Sequence, residues 1–183
     1  MMKRPFETIE LDDDNMHWTE PSSRALVLHP EMQLLLSDRG SLTQQLIEVS
    51  NGAFRVHTTE QAWRIVLGLS LRKLFGPVAP SHKFWSRKSV LLCNRKPVVL
   101  AHSLMPAHAA MSDLCQVLDL GEQPLGEFLF SQGGLKREAF QYAQSEQGYW
   151  GRRSIFHLDS KPIMVAEFFL PGEMLDKLRR RMR

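Results

Sequence analysis

An α+β fold with one mainly antiparallel sheet is predicted by three features of the chain. Residues 84–93 and 98–105 form one pair of apolar stretches, joined by the turn composition Asn94-Arg-Lys-Pro97. Residues 151–158 and 162–170 form another, joined by Asp159-Ser-Lys161. Both pairs have the pattern of β-hairpins. Helical periods lie before and between them, at 30–51 and 106–118. The 183 residues suit a single domain over 1–183, large enough to bury roughly 70% of its unfolded surface.

In chain order, residues 1–25 are polar, with Asp12-Asp-Asp14 and Pro21-Ser-Ser23, and are expected to be a loosely held extension. Residues 30–51 read as helical: Ser41-Leu-Thr-Gln44 is a capping box and Gly52 a C-terminal stop. Phe54 and Val56 alternate with polar residues, which predicts a strand over 53–59. Apolar positions in 60–75 fit neither period, so that type stays open. After the first hairpin, Ala109, Met111, Leu114, Cys115 and Leu118 predict a helix over 106–118, stopped by Gly121. Residues 124–130 are a short apolar segment, and 135–147 fit either a strand or a helix. The second hairpin follows, and 172–183 form a basic tail.

Composition excludes several function classes. The net charge of +3 is too small to argue for nucleic acid. The basic run 177–183 reads as the solvated end of a last helix or as a surface for acidic lipid or RNA. Cys93 and Cys115 lack CxxC spacing and read as small core residues of a reducing compartment. Seven scattered histidines show no HxxxH or HExxH spacing, so no metal is expected. No apolar run reaches the ~20 residues of a membrane span, and no signal core follows the N-terminus. A cytoplasmic monomer with no membrane insertion is expected. GxSxG, GxGxxG and GxxxxGK[ST] are all absent.

One carboxylate stands out. Glu167 lies in Pro162-Ile-Met-Val-Ala-Glu-Phe-Phe-Leu-Pro171, where every other side chain is apolar. Left buried, charged and unpartnered, it would cost several kcal/mol, so it must be neutralised, paired or bound to a ligand. Strand alternation puts it on a face with Ile163, Val165 and Phe169. The same rule puts Arg87 between Trp85 and Ser89, and His102 with Val98, Leu100 and Leu104. An Arg and a Glu, each alone on an apolar strand face, suit opposite walls of a small pocket. The guanidinium fork matches a carboxylate, and Glu can accept a hydrogen bond from a hydroxyl. A small ring with those two groups would fit between apolar neighbours. The structural alternative is that Arg87 snorkels from an edge, or that Glu167 pairs with Arg87 or Arg153 as a plain ion pair.

The segment Tyr149-Trp-Gly-Arg-Arg-Ser-Ile-Phe-His-Leu-Asp-Ser-Lys-Pro-Ile-Met-Val-Ala-Glu-Phe-Phe-Leu-Pro171 strongly resembles the C-terminal block of the bacterial chorismate lyase family. Phe84-Trp-Ser-Arg-Lys-Ser-Val-Leu-Leu-Cys93 and Gln123-Pro-Leu-Gly-Glu-Phe-Leu-Phe130 resemble upstream pieces of that family in the same order. The resemblance is strong over about 80–171, weaker over 30–80, and does not reach 1–25 or the basic tail. It implies an antiparallel sheet of about six strands with helical flaps closing over a buried site. It also implies conversion of chorismate to 4-hydroxybenzoate and pyruvate on the way to ubiquinone, with no metal or organic cofactor. Carried over by motif, Arg87 would hold the ring carboxylate and Glu167 would face the oxygen opposite. Leu125 would line the site, as would Leu42 from the first flap.

His102 departs from the family pattern, in which an Arg commonly stands at that place. If that Arg holds the enolpyruvyl carboxylate, a protonated His102 or a compensating Arg153 would have to serve here; a core histidine is the alternative. Desolvation would raise the pKa of Glu167 and a neighbouring Arg would lower it, so both protonation states stand open. A binder of chorismate or 4-hydroxybenzoate without turnover is the second functional reading. The same fold serves as the sensing domain of bacterial transcription regulators, behind a winged-helix domain of roughly 60–70 residues. Only about 25 residues precede the matched region here.

Overall fold

The computed structural model describes residues 16–20, 28 and 30–181. Two short helices come first, α1 (Pro30–Ser37) and α2 (Leu42–Val49). Pro30 opens α1, where its fixed φ and missing N–H cost nothing. Ser41 caps α2, its hydroxyl accepting from the Gln44 N–H at 3.3 Å. The expected single helical stretch is therefore broken at 38–41. Strand β1 (Phe54–Ile65) follows and runs into the segment left open from sequence; α3 (Leu69–Lys73) supplies its helical part.

The first hairpin is β2 (Lys83–Cys93) and β3 (Lys96–Pro106); the second is β6 (Trp150–Leu158) and β7 (Lys161–Phe169). Each closes with two residues at positive φ, Asn94 and Arg95 at 51° and 64°, Asp159 and Ser160 at 49° and 64°. This backbone matches the right-handed twist of the flanking strands. Between the hairpins lie two 3₁₀ turns, Ala109–Met111 and Asp113–Asp119, in place of the expected α-helix. Extended Ser112 separates them and its hydroxyl accepts from the Leu114 N–H. Leu114 and Val117, three apart, are the buried positions, as the 3₁₀ period requires. Helix α4 (Leu125–Ser131), β4 (Lys136–Arg137) and β5 (Gln141–Gln144) complete that stretch, and α5 (Glu173–Arg181) follows β7.

All strands pair antiparallel in one sheet of order β1-β2-β3-β7-β6-β4, with β5 also on β6. The strand count is seven rather than about six, because 135–147 divides into two short strands on one edge. Most of the expected extension 1–25 falls outside the described residues. Within it, Thr19 bridges to Tyr142 and Trp18 packs edge-on against Phe168. Cys93 is buried, whereas Cys115 is exposed and takes no part in the core.

The sheet's two faces are filled differently. The back face is one apolar cluster of Phe84, Val90, Leu100, Leu104, Met164 and Phe168, covered by Leu71 of α3. The front face is split. One cluster joins α1, α2 and α5 to Leu91, Val99 and Phe169; the other joins the 3₁₀ turns and α4 to Met105, Phe156 and Ile163. The gap between these two front clusters is where the site lies.

Candidate active site

A partly open cavity lies in that gap, with about 610 Å³ of empty space when the solvent at its mouth is included. Its floor is strand surface: Arg87, Ser89, Ala101, Ser103, Val165 and Glu167. Its roof is the start of α2, with Leu42 and Thr43, and the start of α4, with Leu125 and Gly126. The cavity thus brings together Arg87, Glu167, Leu42 and Leu125.

Arg87 is 4% exposed. Its Nη2 donates to the carbonyls of Gly121 at 2.9 Å and Gln123 at 2.8 Å, and to Thr58 Oγ1 at 3.3 Å. The loop before α4 therefore wraps one end of the guanidinium. Its Nε is buried without a hydrogen-bond partner among the described residues. Burial pushes this group below the ordinary arginine value. A carboxylate in the cavity would relieve both deficits.

Glu167 is paired. Its Oε2 accepts from Arg152 Nε at 2.7 Å. Arg152 also donates through Nη1 to the carbonyls of Leu35 at 3.1 Å and Asp38 at 2.7 Å, at the C-terminal end of α1. Those carbonyls would otherwise be among the orphans of a helix end. Glu167 Oε1 has no hydrogen bond among the described residues, and the side chain lines the cavity. One oxygen is thus fixed by the protein and the other is available to a ligand. The ion pair allowed from sequence does exist, but its cation is Arg152, not Arg87 or Arg153.

A second guanidinium enters from β4. Arg137 donates through Nε to Ser154 Oγ at 2.8 Å, and its guanidinium carbon lies 4.1 Å from the Phe140 ring centre and 4.5 Å from that of Phe156. Its Nη1 is buried with no partner among the described residues. Burial pushes Arg137 down to about 10, with Arg152 and Arg39 acting in the same direction and Glu167 and Asp38 against it. Counting those neighbours with Arg87, the cavity and its immediate surroundings carry an excess of two positive charges.

Two expected candidates fall elsewhere. His102 borders the cavity between Ala101 and Ser103, but strand alternation turns its imidazole to the back face, where Nε2 lies 3.0 Å from Ser86 Oγ. Arg153 is also on the back face, bonded to Gln141 at 2.8 Å and stacked on Trp18. It cannot compensate for anything in the front cavity. Among the described residues no group of three or more His, Cys, Asp or Glu is placed to hold a metal ion.

Sequence pattern does not point to Arg137, and it divides Arg152 and Arg153 between the two faces of their strand without saying which of them pairs internally. The signal for Arg152 is the hairpin turn: a two-residue turn at Asp159-Ser160 sets Arg152 directly opposite Glu167, whereas a three-residue turn would set Arg153 there. Arg137 lies in the stretch whose type was open and has no comparable signal.

The sequence profile of the family described as "Chorismate lyase" matches residues 13–180. The chain belongs to the chorismate lyase family. The match runs through every wall of the cavity, from Leu42 to Glu167. A protein named "Probable chorismate pyruvate-lyase" from Pseudomonas aeruginosa (strain UCBPP-PA14) is 33% identical over 147 residues, covering 75% of this chain and 82% of its own. "Chorismate pyruvate-lyase" of Serratia proteamaculans (strain 568) is 30% identical over 151 residues, covering 80% and 84%. Among solved structures, the C-terminal domain of the histidine utilization repressor from Pseudomonas syringae pv. tomato str. DC3000 is 13% identical. It covers 65% of this chain and 92% of its own, with a TM-score of 0.47.

Proposed function

We propose that this protein is a chorismate–pyruvate lyase, converting chorismate to 4-hydroxybenzoate and pyruvate without metal or organic cofactor, on the route to ubiquinone. The observation that carries this reading is one cavity with an under-bonded guanidinium, Arg87, on one wall and a half-bonded carboxylate, Glu167, on another. Membership of the chorismate lyase family and the names of the relatives support it.

In this reading Arg87 receives the ring carboxylate and Glu167 Oε1 accepts from the ring hydroxyl. The chemistry breaks the ether bond to the enolpyruvyl group. The ring carbon bearing the hydroxyl loses a proton and the enol carbon of the departing group gains one, so the products are an aromatic ring and pyruvate. Aromatisation supplies much of the driving force. The protein holds the ring, excludes water under Leu42 and Leu125, and opposes the charge that develops at the breaking ether.

The test is incubation with chorismate and identification of both products. Glu167→Gln and Arg87→Gln are each expected to lower kcat/KM on the order of 10²-fold or more. Folded protein that releases neither product between about pH 5 and 9 would sink the proposal.

A further inference from the structure

The cavity holds one guanidinium more than the ring carboxylate needs. Arg87 and Arg137 enter from β2 and β4, separated in the sheet by β3, β7 and β6. Four strand spacings put their backbones roughly 19 Å apart, and two long side chains leaning inward leave room for a small ring between them. Arg137 is held firmly on three sides, by Ser154, Phe140 and Phe156. Its Nη1 is nonetheless buried without a partner among the described residues. A charged donor left in that state is costly in a cavity wall, and an anion seated beside it removes the cost.

Among the described residues no other arginine or lysine lines the cavity; Arg39, the neighbour of Arg137, is exposed and donates through Nη2 to the Arg137 carbonyl at 2.8 Å. Arg152 is held through Nε by Glu167 and through Nη1 by the end of α1 and is not among the residues lining the cavity, and His102 and Arg153 face the back of the sheet. The positive excess around the cavity is two, which suits a dianion better than a monoanion. We propose that Arg137 is the seat of a second carboxylate, so that the site selects small cyclic dicarboxylates, with Arg87 on the ring carboxylate and Arg137 on the carboxylate of the ether arm. This rests on reading the cavity as a chorismate site. It adds a consequence: once the arm leaves as pyruvate, the aromatic product has nothing to offer Arg137. Substrate and product are then told apart by one residue.

Two stable ligands isolate that residue. 4-Hydroxybenzoate carries the ring carboxylate alone; 3-(carboxymethoxy)-4-hydroxybenzoate adds an uncleavable ether arm ending in a second carboxylate. Calorimetric titration of the wild type and Arg137→Gln with both is the experiment. Arg137→Gln is expected to weaken the dicarboxylate about 10- to 100-fold and to leave 4-hydroxybenzoate within about threefold. Arg87→Gln is expected to weaken both. Equal losses for the two ligands in Arg137→Gln, no loss for either, or failure of the wild type to bind the dicarboxylate would each overturn the proposal.

A measurement on the unaltered protein covers the case in which Arg137→Gln does not fold. The arginine Nε–Hε resonance of Arg137, assigned with Arg137→Lys, should move on adding the dicarboxylate and stay in place with 4-hydroxybenzoate. An identical response to both ligands overturns the assignment. These readouts need no turnover. Selective dicarboxylate binding without lyase activity would leave this proposal standing and remove the lyase reading. Lyase activity with an unchanged KM in Arg137→Gln would do the reverse.

Discussion

Arg152 divides its donors between a side chain and a helix end. Only 1% of it is exposed, and it reaches Glu167 through Nε and the α1 carbonyls through Nη1. The pair with Glu167 aims a carboxylate into the cavity. The bonds to Leu35 and Asp38 tie that carboxylate to the segment that leads into α2. Removing the cation strands a largely buried anion and several helix-end carbonyls together. Arg152→Met is therefore expected to cost about 3–5 kcal/mol, read as a fall in urea midpoint with little change in slope. Arg152→Lys keeps the charge, but one ammonium at the end of a flexible stem cannot reproduce the fork, so it should fall between the two. Arg152→Met as stable as wild type would show that Glu167 is not held as an ion pair.

Helices α2 and α4 meet above the cavity, and their contact depends on a missing side chain. A Cβ at Gly126 would lie 2.5 Å from Thr43 Oγ1, closer than real Cβ contacts allow. Gly126→Ala should push α4 away from α2, loosen the roof between Leu42 and Leu125, and cost about 1–3 kcal/mol as an overpacked site does. Product should then leave faster and chorismate bind more weakly. Thr43→Ala removes the obstructing oxygen, so the double variant should recover much of what Gly126→Ala loses; purely additive losses would show that the seam is not the cause. At this scale much of the fold was legible in the chain. Both hairpins announced themselves by turn chemistry, and alternation alone put Arg87 and Glu167 on inward faces. The misreadings were local. Arg87 and Arg153 were both open as partners of Glu167, and the register of the second hairpin sets Arg152 opposite it instead. The helical period read over 106–118 from Ala109, Met111, Leu114, Cys115 and Leu118 misled, since Met111 and Cys115 are exposed and the 3₁₀ turn buries Leu114 and Val117 instead. Arg137 was hidden because two strands too short to show a period carry no signal of their own.

For the molecule as a whole, α5 closes the front face over α1 and α2, and its basic character belongs to that closure. Met174, Leu175 and Leu178 are buried against the cluster that contains Leu35, Leu36 and Leu46. Arg179 pairs with Glu31 of α1 at 2.8 Å, Arg181 with Glu48 of α2, and Lys177 with Glu173 one turn back. Three of the four described cations of the C-terminal run therefore pair with carboxylates within the chain, and the exposed fourth, Arg180, donates to the Asp176 carbonyl at 3.2 Å, which argues against a lipid-facing surface. Apolar burial should dominate over these pairs, because exposed ion pairs contribute little while a fully buried Leu does not give way cheaply. Leu178, with no exposed surface, is the critical contact. Leu178→Ala should cost about 2–5 kcal/mol by urea unfolding, and should also raise KM for chorismate, since α1 and α2 carry one side of the cavity. Arg181→Gln should be hard to distinguish from wild type in the same assay, and Arg179→Gln with Arg181→Gln should leave binding to acidic vesicles unchanged. A large stability loss in Arg181→Gln with little loss in Leu178→Ala would mean that charge, not burial, holds α5 in place. Vesicle binding that disappears in the double variant would restore a membrane role for the basic run.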